Sequence, residues 1–228
     1  RAVLPLADAL GRFEALGDDA EVAETLRLRG MVSLFAGEHE AADRDLDHAR
    51  TIFEELGDAA GVGWCLQNLA WLSFEAGYVD EATERVTRAM ELFADVDDEA
   101  GLSFARGLMA FIHFHEGRGD EAEALASEVL ADAHQRGERF SEAMMDLLLA
   151  SVSLWSGRAR KAIEMATVAK SVFQQIDSEY GEVQAMGLLG RAFAAIGDIQ
   201  SSRKNLDDCL SRADATATTD QQRTFVRL

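Results

Sequence analysis

The fold is decided by residues 58–97, which read DAAGVGWCLQNLAWLSFEAGYVDEATERVTRAMELFADVD. Features of this stretch return along the chain at a constant spacing of 40 residues, without insertion or deletion. The glycine near its middle belongs to one such column, consisting of Gly37, Gly77, Gly117, Gly157 and Gly197. Three more columns keep the same step: Gly30, Ala70, Ala110, Ala150 and Gly190; Ala42, Ala82, Ala122, Ala162 and Ser202; and Phe13, Phe53, Phe93, Ala133, Phe173 and Ala213. Four columns with one period indicate a tandem array.

Each repeat is predicted to contain two helices. In residues 58–97 the small and apolar side chains fall at helical spacing in two groups, which are Val62, Leu66, Leu69, Ala70 and Ser73, then Ala82, Val86, Ala89, Met90 and Phe93. Gly77 lies between the groups and is predicted to end the first helix with left-handed backbone. The pairs Gly17-Asp18 and Gly57-Asp58 predict a helix end followed by the cap of the next helix, and Glu21 has capping-box spacing from Asp18. The small columns predict where the two helices approach closely.

The repeat resembles a tetratricopeptide repeat at its small and apolar signature positions, which are Leu69-Ala70, Gly77, Ala82 and Ala89. Two segments, Leu56-Gly57-Asp58 and Asn68-Leu69-Ala70, are similar to frequent signatures of that family. The usual repeat has about 34 residues, so the longer period resembles the subclass of longer helices found in cytosolic signalling scaffolds and in large bacterial regulators. The resemblance covers about residues 2–228 and implies an all-α fold, a right-handed superhelix of helix pairs. Arg29 in an apolar position and the missing proline after the second helix depart from the pattern.

The register predicts a single solenoid over residues 1–228. It contains five full repeats, at 18–57, 58–97, 98–137, 138–177 and 178–217, and partial repeats at 1–17 and 218–228. Residues 3–16 match only a second helix, and the last partial repeat, with Val226 and Leu228, matches only the start of a first helix. Natural solenoids finish with polar capping helices, so we expect this chain to be a piece of a longer protein.

Composition excludes several classes of function. The chain has 41 acidic and 22 basic residues and a net charge of −19, which argues against direct binding of nucleic acid. No run of 18 apolar residues is present, so no membrane partner is expected. Cys65 and Cys209 have no metal or redox spacing, which predicts a reducing cytoplasm. Richness in alanine and glycine with few lysines is typical of a GC-rich bacterial genome.

The sequence contains no pattern of residues for catalysis. No two of the five histidines have the i, i+4 spacing of a helical zinc site, and no GxxxxGK[ST] phosphate loop occurs. We therefore predict that the protein is not an enzyme and has no catalytic residue, cofactor or bound metal.

The resemblance implies that the first helices line an inner, concave surface. Positions on their free face carry large side chains, which are Trp64, Phe104 and Met144; Met31, Trp71 and Phe111; and Phe35, His115 and Trp155. Arg27 and Asn68 are the polar groups predicted beside them. Clustered apolar residues on this face predict a groove for a peptide or a helix with apolar anchors. In the alternative interpretation the same side chains fill the inside of a tightly curled superhelix.

Three functions remain open from the sequence. The first is a scaffold that binds a protein or peptide and belongs to a larger bacterial regulatory protein. The second is a sensory domain for a small ligand or signalling peptide that controls an attached ATPase or transcription-regulator part. The third is a self-association module that forms a homo-oligomer through exposed solenoid ends.

Overall fold

The computed structural model describes residues 3–215, and within that range the chain folds into eleven α-helices and contains no strand. The helices are α1 (Val3–Leu16), α2 (Asp19–Phe35), α3 (His39–Leu56), α4 (Ala59–Glu75), α5 (Val79–Asp95), α6 (Glu99–His115), α7 (Gly119–Arg136), α8 (Arg139–Trp155), α9 (Ala159–Gln175), α10 (Glu179–Ala195) and α11 (Ile199–Ala215). The predicted all-α fold class is confirmed. Each predicted full repeat contains two consecutive helices, whereas Val226 and Leu228 of the last partial repeat lie outside the described residues.

The chain divides into two compact regions, residues 1–105 and residues 106–228, with the boundary inside α6. In the first region α2 packs on α3 and α4 packs on α5, and contacts between α3 and α4 join the two pairs. In the second region α8 packs on α9 and α10 on α11, and α9 contacts α10 in the same way. Each region is therefore built from helix pairs that stack in chain order. The single solenoid over residues 1–228 stays a prediction.

Each of the helices α1 to α10 is followed by a residue in left-handed backbone, and these residues recur at intervals of 20. Eight of these residues are glycines, at positions 17, 37, 57, 77, 117, 137, 157 and 197, and two are aspartates, Asp97 and Asp177, with φ of 57° and 54°. At Gly57 the following N–H, that of Asp58, donates to the carbonyl of Phe53 at 2.9 Å, which is the bonding pattern of a Schellman ending. The predicted glycine stops are confirmed, and each repeat consists of two equivalent halves of helix and turn.

Side-chain caps begin several of the first helices. The carboxylates of Asp18, Asp58 and Asp98 accept a hydrogen bond from the backbone N–H three residues later, at 3.3, 2.9 and 2.9 Å. The predicted caps at Asp18 and Asp58 are thereby confirmed. Glu138 occupies the equivalent position before α8 but makes no capping bond, and its longer side chain accepts from Arg136 at 2.8 Å instead.

The small columns mark the closest approach of the two helices in a repeat. A Cβ added to Gly30 would lie 2.6 Å from Cγ of Leu46 and 3.3 Å from the carbonyl oxygen of Ala42. Gly190 has the same relation to Leu206 and Ser202, at 2.6 and 3.4 Å. Where the first column carries alanine, at positions 70, 110 and 150, the facing column carries a smaller side chain, namely Val86, Ala126 and Ala166. Leucine thus occurs opposite glycine, and a smaller side chain occurs opposite alanine, in the five repeats.

Phenylalanines of the second helices fill the junctions between repeats. Phe93 of α5 lies between α4 and α6, where a Cβ on Gly63 or Gly101 would approach its ring to 2.8 or 2.5 Å. Phe53 covers Gly61, and Phe173 covers Gly181, at still closer range. All three rings are buried. The phenylalanine column is therefore a core feature.

Candidate functional site

Trp64 of α4 stands at the centre of a polar and aromatic cluster in the first compact region. Its indole Nε1 donates to Oδ2 of Asp98 at 3.0 Å, the same carboxylate that caps α6. Its ring meets those of Phe93 and Phe104 with centroids 5.2 and 5.9 Å apart. The Arg27 guanidinium lies over the ring, 5.7 Å from its centroid. Three of the predicted groove residues, Arg27, Trp64 and Phe104, are thus brought together.

The charge of Arg27 is already compensated within its own helix. Its Nε and Nη2 donate to the two carboxylate oxygens of Glu24 at 2.8 and 2.6 Å, and its side chain is only 14% exposed. A bidentate pair of this kind holds the guanidinium in one orientation against Trp64. Arg27 therefore acts as part of the packing and is not a free cation that awaits a carboxylate.

Three of the predicted groove residues lie in the interior. Asn68, Trp71 and Met144 are 3, 7 and 4% exposed. Trp71 donates its indole N–H to Glu75 at 3.3 Å, and its ring contacts Phe74. The physical reason is that first helices are covered on more than one side: ten residues of α4 are buried, against four of α5. For these three side chains the structure favours the interpretation as inner packing.

The remaining predicted residues keep some access to solvent. Met31 and Phe35 on α2 are half-buried in the first compact region, as is Phe111 in the second. His115 is exposed at the end of α6, and Trp155 at the end of α8 is 79% exposed. These five positions are the part of the predicted groove whose side chains a partner could touch. Their assignment as a site stays a prediction.

An open depression surrounds Trp155 in the second compact region. It has a cavity volume of about 500 Å³ and is lined by the turn and first residues of α7 and the end of α8, namely Gly117, Arg118, Gly119, Asp120, Glu121, Val152, Trp155 and Ser156. Arg118 pairs with Glu116 and, at 3.1 Å, with Glu121. Trp155 was predicted from the sequence, whereas the acidic residues beside it, Asp120 and Glu121, were not among the predicted site residues.

A buried glutamine was also missed. Gln67 of α4 is fully buried, and within the described residues neither its amide nitrogen nor its amide oxygen has a hydrogen-bond partner. The equivalent positions in the second compact region are Gly107, Leu147 and Gly187, and all three are buried. Comparison of the repeats does not single out Gln67, since this column also contains Arg27, and its burial depends on the neighbouring helices.

The titratable groups give no support to a catalytic site. Burial raises the pKa of the Cys65 thiol to about 12 and that of Cys209 to about 11, so both remain protonated and unreactive. Burial, with a smaller contribution from the Glu142 carboxylate, raises the pKa of Asp146. Among residues 3–215 no group of three or more histidine, cysteine or acidic side chains could hold a metal ion. No helix in the described part of the chain combines the length and apolar character required to cross a membrane.

Stacked helix pairs closed by left-handed turns place the chain among the all-α helical-repeat proteins. Residues 8–95 match the sequence profile of the tetratricopeptide repeat, which confirms the resemblance to that family. No curated protein is similar enough in sequence to match the chain.

Solved structures extend the likeness along the chain. A Rap protein complexed with competence and sporulation factor matches with a TM-score of 0.75 and 17% identity, over 98% of this chain and 62% of the Rap chain. NprR in complex with its cognate peptide NprX matches with a TM-score of 0.72 and 14% identity, over 99% of this chain and 65% of NprR. A signal transduction ATPase with a tetratricopeptide repeat sensor from Pyrococcus horikoshii matches with a TM-score of 0.57 and 17% identity, over 91% of this chain and 32% of the ATPase chain.

The chain spans less than two thirds of the length of each of these three proteins. At identities of 14 to 17% the likeness shows the fold, which is that of tetratricopeptide-like helical repeats.

Proposed function

We propose that the chain is a scaffold that binds a protein or peptide through apolar anchor side chains, as part of a larger bacterial regulatory protein. The observation that carries the proposal is a set of large apolar side chains on first helices that the fold leaves partly or fully open: Met31 and Phe35 on α2, Phe111 on α6 and Trp155 on α8. Large apolar side chains that keep access to solvent can bury further area against a partner, and tryptophan is a preferred anchor.

Two proteins of the same fold support a peptide as the partner. One of them is described in complex with its cognate peptide and the other with competence and sporulation factor. In this chain the buried Trp71, Asn68 and Met144 are assigned to packing, so the proposed contact set is smaller than the one predicted from sequence. The two free, buried cysteines fit a reducing compartment, and the proposal includes a cytoplasmic location. It includes no catalytic step.

Selection from a random peptide display library, followed by calorimetry with the selected peptides, tests the proposal. Phe35→Ala removes a half-buried anchor in the first compact region and Trp155→Ala an exposed anchor in the second, and loss of the anchor that a selected peptide contacts should weaken its binding by about tenfold or more. Val168→Ala is the matched control, because Val168 is 55% exposed on the second helix α9 and lies outside the set. Circular dichroism establishes that each variant keeps its helices.

Failure to select any peptide with dissociation constants in the micromolar range would contradict the proposal. So would selected peptides whose affinity survives both anchor variants unchanged. Weakening by Val168→Ala to the same degree would show that the effect of the anchors is not specific to the first helices.

A second candidate function is sensing, favoured by the likeness to a tetratricopeptide repeat sensor in a signal transduction ATPase. In that case the chain binds a small ligand or signalling peptide and transmits the bound state to an attached ATPase or transcription-regulator part. A specific ligand raises the melting temperature by mass action. A thermal-shift screen of metabolites tests this candidate, and the absence of any concentration-dependent shift would count against a small-molecule ligand.

A further inference from the structure

The depression at Trp155 combines an open aromatic ring with an acidic wall. The Trp155 side chain is the most exposed of the large apolar side chains in the described part of the chain. Within residues 3–215 its indole N–H donates no hydrogen bond, and its ring stacks on no other aromatic ring. Val152 of α8, Ser156 directly after α8 and the turn before α7 line the depression with it. Covering an exposed aromatic ring with a partner removes apolar surface from water and so stabilises the complex.

The charged residues that line the depression determine which kind of ligand group can bind there. The lining contains two carboxylates, those of Asp120 and Glu121, and one guanidinium, that of Arg118, which also pairs with Glu116 outside the lining. Arg118 is paired with Glu116 and Glu121, whereas Asp120 makes no ion pair among the described residues. The wall therefore has an excess of negative charge, in a chain whose net charge is −19. A cationic group is attracted to this place and an anionic group is repelled.

We propose that this depression receives a basic side chain, arginine or lysine, of a bound peptide. The cationic head lies against the face of Trp155 and pairs with Asp120. A bound peptide is thereby selected for a basic residue next to an apolar anchor. This inference rests on the proposed function. It adds the sign of the charge on the ligand and the residues that bind the charged group.

The test uses the full chain labelled with ¹⁵N and three capped peptides as probes. The probes are acetyl-Ala-Leu-Arg-Leu-Ala-amide and its analogues with glutamine or glutamate in the central position. The indole N–H resonance of Trp155 is assigned by its loss in Trp155→Phe. We expect the arginine peptide to shift this resonance and to bind at least about fivefold more tightly than the glutamine peptide. The glutamate peptide should bind more weakly than either.

Variants locate the effect at the wall. Asp120→Asn should remove most of the preference for arginine, and Trp155→Leu should remove the remainder. Glu164→Gln is the matched control, because Glu164 is exposed on α9 and its substitution changes the net charge by the same amount. It should leave the preference unchanged, which separates a local pair from the general field of an acidic protein.

The outcomes distinguish this inference from the proposed function. If peptides bind and shift other resonances while that of Trp155 stays in place, the subsite is overturned and the scaffold stands. If the glutamate or glutamine peptide binds as tightly as the arginine peptide, the depression binds only an apolar side chain, and the proposal of a basic side chain is overturned. No shift of Trp155 with the arginine peptide at about 5 mM also overturns it. The scaffold itself fails if display selection yields no ligand, or if the selected peptides keep their affinity in both anchor variants.

Discussion

Phe173 of α9 covers Gly181 of α10 so closely that no Cβ fits between the ring and the backbone. Phe53 with Gly61 and Phe93 with Gly101 repeat the arrangement in the first compact region. The pair Ala133 and Ser141 occupies the equivalent positions in the second region, where the loss of the ring accompanies a larger residue on α8. Glycine therefore occurs at each of the three junctions that contain a buried ring, whereas the half-buried Phe13 has Glu21 at the equivalent position.

Gly181→Ala should destabilise the protein by about 1–3 kcal/mol, because the added methyl group displaces the Phe173 ring from a filled junction. Gly11→Ala is the matched control: Gly11 is also helical, but a Cβ there meets nothing within 4 Å, and the change should be neutral or stabilise by up to about 1 kcal/mol. Urea unfolding measures both. Introducing Phe173→Ala should remove most of the penalty of Gly181→Ala, and simple additivity would contradict the pairing.

The fold could be predicted from the sequence because the residues that end its helices recur at a constant spacing. Positions 37, 77, 117, 157 and 197 require left-handed backbone, which glycine provides, and the spacing of such stops sets helix length. The two aspartates at the same turns were harder to interpret, since Asp97 and Asp177 enter this conformation without a special sequence signal. A local conformational requirement repeated along the chain can thus be recognised even where single residues depart from it.

The candidate site was less predictable, because it depends on what covers each side chain. Trp71 and Trp155 both belong to inner columns of first helices, yet one is buried and the other open. The difference arises from neighbours in other helices, which local periodicity does not record. The polar interior position Gln67 and the pairing of Trp64 with Asp98 likewise depend on tertiary contacts.

Asp97→Gly should stabilise the protein by about 0.5–1 kcal/mol. Asp97 has φ of 57°, where a side chain is strained and glycine is not. The matched reverse change is Gly137→Asp, at the same turn position with φ of 69°, which should destabilise by a similar amount. Chemical denaturation of the two variants measures the gain in stability for one and the loss for the other. A destabilised Asp97→Gly variant would mean that the aspartate side chain contributes more than its strained backbone costs.

Gln67→Leu should raise the free energy of unfolding by about 1–2 kcal/mol. The variant replaces a buried amide that has no hydrogen-bond partner among the described residues with an apolar side chain of similar size. Leu147 shows that leucine fits the equivalent position of another repeat. Gln135→Leu, on the exposed face of α7, is the control and should change stability by less than about 0.5 kcal/mol. A less stable Gln67→Leu protein would contradict the assignment of an unsatisfied amide.

Asp146→Asn should stabilise the protein at pH 7, and the gain should shrink as the pH falls. Burial raises the folded-state pKa of Asp146, so the folded state binds a proton more tightly than the unfolded state does. Its charge is therefore unfavourable above the folded pKa, and the penalty disappears below the unfolded value of about 3.9. Unfolding measured from pH 7 downward tests this, with Glu164→Gln as the control for net charge. An advantage for asparagine that does not depend on pH would refute it.

Asp98→Ala should cost about 2–3 kcal/mol, because Asp98 both caps α6 through Gly101 and accepts the indole N–H of Trp64. Asp98→Asn should cost only about 1 kcal/mol, since asparagine is also a good cap and only the bond to Trp64 is lost. Thermal unfolding ranks the two variants. In a Trp64→Phe background the indole donor is absent, so Asp98→Asn should become nearly neutral while Asp98→Ala still loses the cap. Equal costs for both variants in both backgrounds would show that the carboxylate does not join Trp64 to the start of α6.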